Sequence, residues 1–471
     1  MARTTKYLKF RNRLVIVGFG SIGQGVLPLI LRHIDIKPAQ VTVVTAEDRG
    51  QKEAKDLGVR FIVEPLTREN YAAVLDPLLG GGDFLLNVSV EVSSLALVEL
   101  CHAKGALYLD TCIEPWPGGY TDPDLTPSLR SNYALRENAL ALRAKHPSGP
   151  TAVLTHGANP GLVSHFVKVA LLDLAEEAGL KATPATRDAW GALAAELGVK
   201  VIHIAERDTQ ISRIPKQPGE FVNTWSIDGF VAEGMQPAEL GWGSHERHFP
   251  ADGGRHDFGT GCAIFLNRPG ASTRVRSWTP LEGPYHGFLI THAEAISIAD
   301  YFTQRDGDAV RYRPTVHYAY HPCDDAVLSV HELWGKNFRL QETKRLMMDE
   351  IEHGMDELGV LLMGHTQGAY WYGSRLSVEE ARRLVRFNNA TSLQVTSAAL
   401  AGMIWALENP ERGIVEPDEV DHERILEICR PYLGKVVGEF SDWTPLFDRG
   451  RLFPEDLDKG DPWQFKNFRV V

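Results

Sequence analysis

The chain has 471 residues, a length typical of two or three domains that each bury a core of their own. Its net charge of −12 excludes nucleic acid and anionic membrane as main partners, because both need a basic surface. The 5 cysteines are scattered and include no Cys-x-x-Cys pair, so we expect no metal site. Neither a signal sequence nor an apolar run of about 18 residues is evident. We therefore expect a cytoplasmic protein with no membrane segment.

The first third of the chain alternates short apolar strands with helices. The pattern predicts strands at 13–18, 41–44, 61–63, 83–90, 106–110 and 151–154, and helices at 22–33 and 95–104. This alternation is typical of a parallel, doubly wound sheet of the Rossmann type. We therefore expect an α/β domain over residues 1–158.

The middle of the chain has a different pattern of polar and apolar residues. Its predicted strands are longer, rich in aromatic residues and alternately polar and apolar, at 201–207, 221–227, 285–291, 315–321, 327–334 and 360–365. Such alternation favours a largely antiparallel sheet with one covered face. A helix is predicted at 391–407, ended by Asn409-Pro410, and the remaining tail is expected to wrap around the protein.

A glycine-rich motif joins the first strand to the first helix. The run Gly18-Phe19-Gly20-Ser21-Ile22-Gly23 lies in the context that gives a dinucleotide fingerprint its meaning. Its glycines permit a tight turn, and the backbone N–H groups of the helix N-terminus can bind a pyrophosphate. We predict cofactor contacts at Gly18, Gly20, Ser21, Ile22 and Gly23. The alternative is that these glycines only form a tight turn.

The end of the second strand indicates which dinucleotide binds. Glu47 and Asp48 follow this strand, where a carboxylate can accept hydrogen bonds from the adenosine ribose. A carboxylate would repel the extra phosphate of NADP, so the sequence favours NAD. Arg49 is adjacent and could reverse that preference.

Three further strand ends carry polar clusters. In a parallel sheet, ligands bind beyond the carboxyl ends of the strands, so these clusters are expected at one site. The alternative is that each is a helix cap or a solvated loop. The residues predicted to contact the cofactor or the substrate there are Asn87, Ser89, Glu91, Thr111, Glu114 and Asn159.

The second domain contributes acids and aromatic residues. Glu206 ends one predicted strand, Trp225 lies in the next and Glu233 follows in a loop, while His292 and Glu294 end another strand. Carboxylates beside an aromatic ring suit an alkylammonium substrate, because the charge is paired and the ring face adds a cation–π attraction of about 0.5–2 kcal/mol. A buried tryptophan is, however, more often part of a core.

Two metal patterns are incomplete. His292 and Glu294 followed by Cys323 resemble part of a zinc deaminase signature, but the second cysteine is missing. His317 and His321 lie in a predicted strand, where their spacing gives no ligand geometry. Neither pattern supports a metal site.

Four segments together resemble bacterial homospermidine synthases: 17–25, 110–116, 156–161 and 388–395. The resemblance runs almost end to end. More distantly, the chain is similar to saccharopine dehydrogenases. These relationships imply a Rossmann domain completed by C-terminal helices and the tail (376–471), with an inserted mixed-sheet domain (159–375) for substrate binding and dimerisation.

The resemblance implies a redox-neutral transferase in a homodimer. Bound NAD takes a hydride from putrescine, a second putrescine displaces ammonia from the imine, and the hydride returns to give homospermidine; spermidine can also be the donor. The family's pocket positions fall on Asn159, Glu206, Trp225, Glu233, His292 and Asn388, with Glu114 near the amine. Glu91 and Glu357 lie where the family also tolerates an aspartate.

The residue types agree with this chemistry. An amine must lose a proton before it loses a hydride, and Glu206 and His292 are the candidate acceptors. Trp225 and Glu233 would stabilise the cationic imine, and Glu114 or Glu91 would hold the distal ammonium.

Two rival functions remain open from the sequence. A dehydrogenase of the saccharopine or carboxynorspermidine type would need an arginine for an α-carboxylate, for which Arg207, Arg274 and Arg276 are available. A module that only senses NAD is the second rival, and it would not need polar groups at several strand ends.

Overall fold

The structure is a computed structural model that describes residues 5–470. Within that range, 7 parallel strands form one sheet. In spatial order, its strands are Ile414–Val415, Ala152–Val153, Leu107–Asp110, Phe84–Asn87, Leu14–Val17, Val41–Thr45 and Arg60–Val63. The central strands are buried on both faces, as their continuous apolar sequence requires. The predicted doubly wound sheet of the Rossmann type is confirmed.

A second sheet contains 11 strands within the described range. Its main path runs through Gly253–Arg255, Ala263–Pro269, Pro237–Gly241, Thr315–His321, Val201–Asp208, Met355–Met363, Ala369–Ser377 and Lys435–Ser441. A branch adds Gly283–Phe288, Arg274–Thr279 and Arg469–Val470. Only the pairing of Val201–Asp208 with Thr315–His321 is parallel among the pairings of this sheet in residues 5–470. The expected mixed, mainly antiparallel sheet is thus confirmed.

Short ribbons and helices complete the fold. The ribbons pair Leu8–Lys9 with Ile34–Asp35, Ile211–Ser212 with Ile351–His353, Glu220–Asn223 with Thr343–Leu346, and Gln304–Asp306 with Ala309–Tyr312. The α-helices are Ser21–His33, Gln51–Asp56, Tyr71–Leu75, Ser94–Lys104, Asn132–Lys145, Leu162–Glu177, Arg187–Glu196, Ile227–Met235, Ala293–Tyr301, Asp324–Gly335, Val378–Leu384, Ala390–Glu408, His422–Cys429 and Phe465–Phe468.

The strand predicted at 327–334 is wrong, because these residues lie in the helix Asp324–Gly335. Ala326, Val330 and Leu333 are buried at helical spacing, whereas Leu328 is exposed. Two aspartates in the first turn favour the helix N-terminus. The apolar run was therefore a helical stripe.

The strand predicted at 221–227 is too long. It ends at Asn223, and Ser226 then caps the helix Ile227–Met235 by accepting a hydrogen bond from the backbone N–H of Gly229. Trp225 therefore lies in the turn between strand and helix, and Glu233 lies on the helix rather than in a loop.

The C-terminal segment divides between the two sheets. The helix Ala390–Glu408 packs against Ser21–His33 of the Rossmann domain, as expected. The tail after residue 434 instead lies on the mixed sheet, where Lys435–Ser441 forms an outer strand and Trp443, Trp463 and Phe468 pack against its core. The expectation that the tail returns to the Rossmann domain is wrong, because its aromatic side chains pack on the mixed sheet.

One helix, Ala390–Glu408, is long and apolar enough to cross a membrane by composition alone. Its most apolar window is 89% buried inside the protein, which is the property of a core helix. Because it is buried in this way, the helix is only weak evidence for a membrane segment.

Candidate active site between the two sheets

A cleft of about 770 Å³ lies between the carboxyl edge of the parallel sheet and the mixed sheet. Both domains and the start of the helix Ala390–Glu408 line it. The predicted site residues that line the cleft are Ile22, Ser89, Thr111, Glu114, Asn159, Glu206, Trp225, Glu233 and His292. Side chains far apart in sequence are therefore brought together around one space.

The glycine motif has the shape of a dinucleotide cradle. Gly18 has a φ of +88°, and a Cβ at this position would come within 2.7 Å of the backbone of Ser89. A Cβ on Gly20 would meet nothing within 4 Å among residues 5–470. The helix Ser21–His33 starts beside that open space, where its first N–H groups have no intrahelical acceptors. These features fit the pyrophosphate of NAD.

A chain of hydrogen bonds ties the neighbouring strand ends together. The Asn87 side chain accepts hydrogen bonds from the backbone and hydroxyl of Ser89, and its amide donates to the Tyr108 hydroxyl at 3.2 Å. Tyr108 donates in turn to Asp110 at 2.8 Å, and Asp110 accepts the backbone N–H of Thr155 at 2.5 Å. Asn87 is thus buried behind the cradle, where it positions Ser89.

Glu206 is the central carboxylate of the cleft. The amide of Asn159 donates to its Oε2 at 2.8 Å, and the Tyr318 hydroxyl donates to the same oxygen. Burial raises the pKa of Glu206 to about 7, although these two hydrogen bonds lower it in part. Such a carboxyl group exchanges protons near neutral pH, as a general base must.

Two more carboxylates lie behind Glu206. Asp208 is on the same face of the same strand, and Asp356 lies opposite Asp208 across the antiparallel pair. All three side chains are buried. Burial raises the pKa of Asp208, and burial together with the charges of Glu206 and Asp208 raises the pKa of Asp356 well above its usual range.

His292 sits between two carboxylates. Its Nε2 lies 3.1 Å from Glu233, and its Nδ1 lies 3.1 Å from Glu294. Burial favours the neutral ring, but the two acids outweigh it and raise the pKa of His292 well above its usual range. The imidazole is therefore cationic at neutral pH and cannot accept another proton. Its predicted role as a proton acceptor is not supported by this geometry.

Glu114 forms the wall nearest the Rossmann sheet. Burial first, and then the charges of Glu233 and Glu91, raise its pKa well above the usual range. Its Oε2 accepts the backbone N–H of Glu91 at 3.2 Å. The side chain of Glu91 is itself exposed and does not line the cleft, so this residue contributes its backbone rather than the predicted carboxylate.

Aromatic rings form another wall. The indole N–H of Trp225 donates to the Tyr320 hydroxyl at 2.9 Å, and the Tyr320 ring stacks on that of Tyr318 at 5.1 Å. Tyr318 in turn lies 4.4 Å from the His292 ring, centroid to centroid. Because its indole is held by a hydrogen bond, Trp225 is a fixed part of the cleft wall.

Three further predicted contacts lie outside the cleft. Glu357 binds Arg375 at 2.9 Å, because it points to the opposite face of the strand from Asp356. Asn388 donates to the backbone carbonyl of Gly25 at 3.2 Å and so joins the C-terminal segment to the cofactor helix. Glu357 and Asn388 thus do not line the cleft, and the substrate-binding roles predicted for them stay predictions. Glu47 lies at the carboxyl edge of the parallel sheet with its side chain exposed.

The cleft wall is strongly acidic. Glu114, Glu206 and Glu233 line it, and His292 is its only cationic side chain within the described chain. Arg207 is committed to Glu282 and Asp324 on the far side.

The other two arginines considered for an α-carboxylate also point elsewhere. Arg274 lies over the ring of Phe288 at 3.6 Å, and Arg276 donates to His286 at 2.8 Å. Neither lines the cleft, so in the part of the chain that the structure describes an α-carboxylate would find no arginine there.

Sequence reasoning missed several members of the site. Tyr318 lies in the correctly predicted strand 315–321, and Asp208 stands two positions after Glu206, a spacing that puts both on one face of a strand. These two could have been found from strand alternation. Asp356 could not, because its place opposite Asp208 depends on the pairing of strands almost 150 residues apart.

Two family models match the chain. A saccharopine dehydrogenase NADP-binding domain matches residues 14–153, and a saccharopine dehydrogenase C-terminal domain matches residues 157–441. A yeast saccharopine dehydrogenase (L-Glu forming, Saccharomyces cerevisiae) has a similar fold, with a TM-score of 0.53 at 12% identity, and covers 92% of this chain and 100% of its own. At this identity the likeness concerns the fold alone.

Higher similarity links the chain to three bacterial enzymes. The homospermidine synthase of Blastochloris viridis is 56% identical over 98% of both chains, and that of Mesorhizobium japonicum is 51% identical over 98% of this chain and 97% of its own. The crystal structure of homospermidine synthase from Legionella pneumophila in complex with NAD is 53% identical, with a TM-score of 0.92, and covers 98% of both chains.

Proposed function

We propose which residues of this chain carry out each step of the NAD-dependent transferase reaction. The chain belongs to the homospermidine synthase family, in which this reaction takes place. Two putrescine molecules yield homospermidine and ammonia, and spermidine can replace one putrescine as the donor. The observation that carries this proposal is the buried acidic cleft, in which Glu206 and Trp225 face a dinucleotide cradle.

NAD fits the cradle at Gly18 to Gly23, with Ser89, Thr111 and Asn159 at its inner end. When bound, NAD accepts a hydride from the α-carbon of one amine and returns it after the second amine has been added. The protein residues position the substrates, exclude water and move protons.

Glu206 is the proposed proton acceptor. It is buried, its pKa is about 7, and it is held by Asn159 and Tyr318. An ammonium group at the cleft would pass its proton to Glu206 before the α-carbon is oxidised. Asn159 and Tyr318 both donate to Oε2, which holds the carboxylate in place and leaves Oε1 to receive that proton.

Trp225 and the Glu233–His292 pair would stabilise the cationic imine. The ring of Trp225 offers its π face, and Glu233 offers a carboxylate whose position is fixed by His292 at 3.1 Å. Because these groups are ordered before the charge develops, little reorganisation is needed.

Glu114 is proposed to bind the distal ammonium of the diamine. It is buried on the side of the cleft formed by the Rossmann domain, whereas Glu206 belongs to the mixed sheet. Two carboxyl groups on opposite walls suit a chain with a cationic group at each end. The same arrangement selects polyamines over amino acids, which would bring an unpaired carboxylate into the cleft.

We also propose a cytoplasmic homodimer. Phe447, Leu452 and Phe453 lie close together in the sequence of the tail and are 69%, 76% and 77% exposed, and exposed large apolar side chains of this kind are typical of an interface. Light scattering of the wild type and of Phe453→Ser tests it: a dimer that dissociates in the variant agrees, and a monomeric wild type contradicts it.

The function is tested by incubating the protein with putrescine and an amount of NAD far below that of the substrate. We expect many homospermidine and ammonia molecules per NAD, because the cofactor ends each cycle oxidised. Product limited to the amount of NAD, or a free aldehyde, would contradict the proposal. An α-keto acid with an amino acid serves as the control substrate pair for the saccharopine dehydrogenase reaction.

A further inference from the structure

Behind Glu206, the Asp356 side chain has an unusual environment. It is fully buried, and in residues 5–470 no N–H group donates to either of its oxygens; the Thr391 hydroxyl is the side-chain donor beside it. Its neighbours are the carboxyl groups of Glu206 and Asp208. Ionised carboxylates can only accept hydrogen bonds, so this arrangement is satisfied only when a proton lies between two of them.

Asp208 differs from Asp356 in its hydrogen bonds. It accepts the backbone N–H of Gln210 at 2.8 Å, the Gln210 side-chain amide at 3.1 Å and the Thr224 hydroxyl at 2.8 Å. These three donors favour the ionised form of Asp208. Because Asp356 lies opposite it across the paired strands, that negative charge favours a proton on Asp356.

Other groups around the cluster do not supply this proton. The titratable or charged residues near its three carboxyl groups are Tyr318, Tyr320, His292, Arg207 and Cys323. Burial raises the pKa of both tyrosines and of the cysteine well above the usual range, so they stay protonated. His292 is committed to its two acids, and Arg207 is always charged.

The proposed function gives off protons in the first half of each cycle and takes up protons in the second half. Oxidation of an ammonium, R–CH2–NH3+, to the iminium R–CH=NH2+ gives off one hydride, which NAD accepts, and one proton. The second amine must lose a proton before its nitrogen can attack the iminium and form R–CH=NH+–R′, with NH3 as the leaving group. Hydride return then gives a neutral secondary amine, and this amine and ammonia each take up one proton. The protons given off in the first half therefore equal those taken up in the second.

We propose that the cluster behind Glu206 is a buried proton store, in which the protonated Asp356 passes its proton to the ionised Asp208 as it receives one from Glu206. Glu206 takes a proton from the substrate amine, Asp356 relays it to Asp208, and the proton returns by the same route to the product amine in the same cycle. Asp208 is a positioning residue, since it acts through Asp356. This proposal rests on the proposed function.

The test measures protons and NADH together in one turnover. The NAD-loaded protein is mixed with putrescine in weak buffer containing a pH indicator dye, and NADH absorbance and dye colour are followed by stopped flow. The wild type is expected to release far fewer protons than the NADH it forms. Asp208→Asn should release about as many protons as NADH, and its acid-side decline in kcat should move relative to the wild type while the KM for putrescine stays unchanged.

Two further variants separate this role from a structural one. Thr224→Val keeps every carboxylate but removes one donor to Asp208, and should move the acid limb of kcat without loss of fold. Asp418→Asn is the matched control, because Asp418 is equally buried and lies outside the cleft. It should leave the ratio of protons to NADH unchanged.

The outcomes are distinguishable. Wild-type NADH formation with an equal number of released protons would overturn the proton store and leave the oxidation step intact. Equal ratios in the wild type and Asp208→Asn would overturn the role of Asp208. Absence of any NADH would overturn the proposed oxidation itself, and the proton store with it.

Discussion

Nδ1 of His292 lies 3.1 Å from Oε1 of Glu294, on the side of the ring opposite Glu233. Glu294 is buried, and its second oxygen has no hydrogen-bond partner in the described chain. The imidazole is therefore the counter-ion of two acids. Its fixed positive charge holds Glu233 at the cleft wall, where that carboxylate can face the substrate.

Removal of Glu294 should change the alkaline limb of the pH profile. In Glu294→Gln, His292 loses one of the two charges that raise its pKa, so it becomes neutral at lower pH. We expect kcat to decline on the alkaline side about one to two pH units earlier than in the wild type. Glu246→Gln, which changes an acid with a buried side chain outside the cleft, should leave this limb in place. An unshifted limb in Glu294→Gln would contradict the account.

Glu206 should set the acid limb of activity. Its pKa is about 7 and its ionised form is the base, so kcat/KM should be full above that pH and fall as the pH drops through it. Glu206→Gln should lower kcat by about a hundred- to ten-thousandfold while NAD binding, measured by calorimetry, is retained. Loss of NAD binding in this variant would assign Glu206 a structural role.

Tyr318→Phe tests the hydrogen bond to Glu206 specifically. The hydroxyl lowers the pKa of Glu206, so its removal should raise that pKa and move the acid limb to higher pH by about one unit. Tyr312→Phe is the matched control, because the Tyr312 hydroxyl donates to the backbone of Val199 and does not line the cleft. A shift in both variants, or in neither, would refute the assignment.

Trp225→Ala should lower kcat/KM for putrescine by several-fold or more. The variant loses a cation–π attraction of about 0.5–2 kcal/mol, and it also loses the indole ring that closes this wall of the cleft. Trp225→Phe should restore part of the rate, and Trp334→Ala, at a half-exposed tryptophan on the surface, should have no effect. If the alanine variant binds NAD and turns over normally, the ring belongs only to the core.

Gly18→Ala should disrupt the cofactor cradle. The added Cβ would lie 2.7 Å from the backbone of Ser89 and in a left-handed backbone conformation, so we expect NAD affinity to fall by tenfold or more. Gly219→Ala is the control: Gly219 also has a positive φ, of 76°, but a Cβ there would meet nothing within 4 Å in residues 5–470. Only the first variant should lose NAD, as measured by calorimetry; equal loss would indicate general strain.

The Rossmann half and the cofactor motif could be predicted from sequence because their signals are local. The strand 13–18, the glycines after it and the helix that follows are contiguous, and the buried strand Leu14–Val17 consists of apolar residues alone. The parallel register then places Ser89 and Thr111 at one edge without further information.

The substrate half was less predictable because its geometry depends on distant pairings. The sequence predicts a site role for Glu357, whereas its neighbour Asp356 is the residue beside Glu206. Adjacent residues lie on opposite faces of a strand, and only the register with Val201–Asp208 determines which of the two faces Glu206. The protonation of His292 likewise depends on Glu233, which is 59 residues away. A histidine at a strand end indicates a site but not its charge.

In the proposed reaction, the hydride that bound NAD takes from a substrate carbon returns to that same carbon. Putrescine carrying deuterium on both α-carbons tests this most directly, with mass spectrometry of the homospermidine formed. We expect every deuterium to be retained at the carbons next to the new C–N bond, because the one removed at oxidation comes back. Loss of deuterium from that carbon, or its appearance in NADH released to solution, would contradict the account.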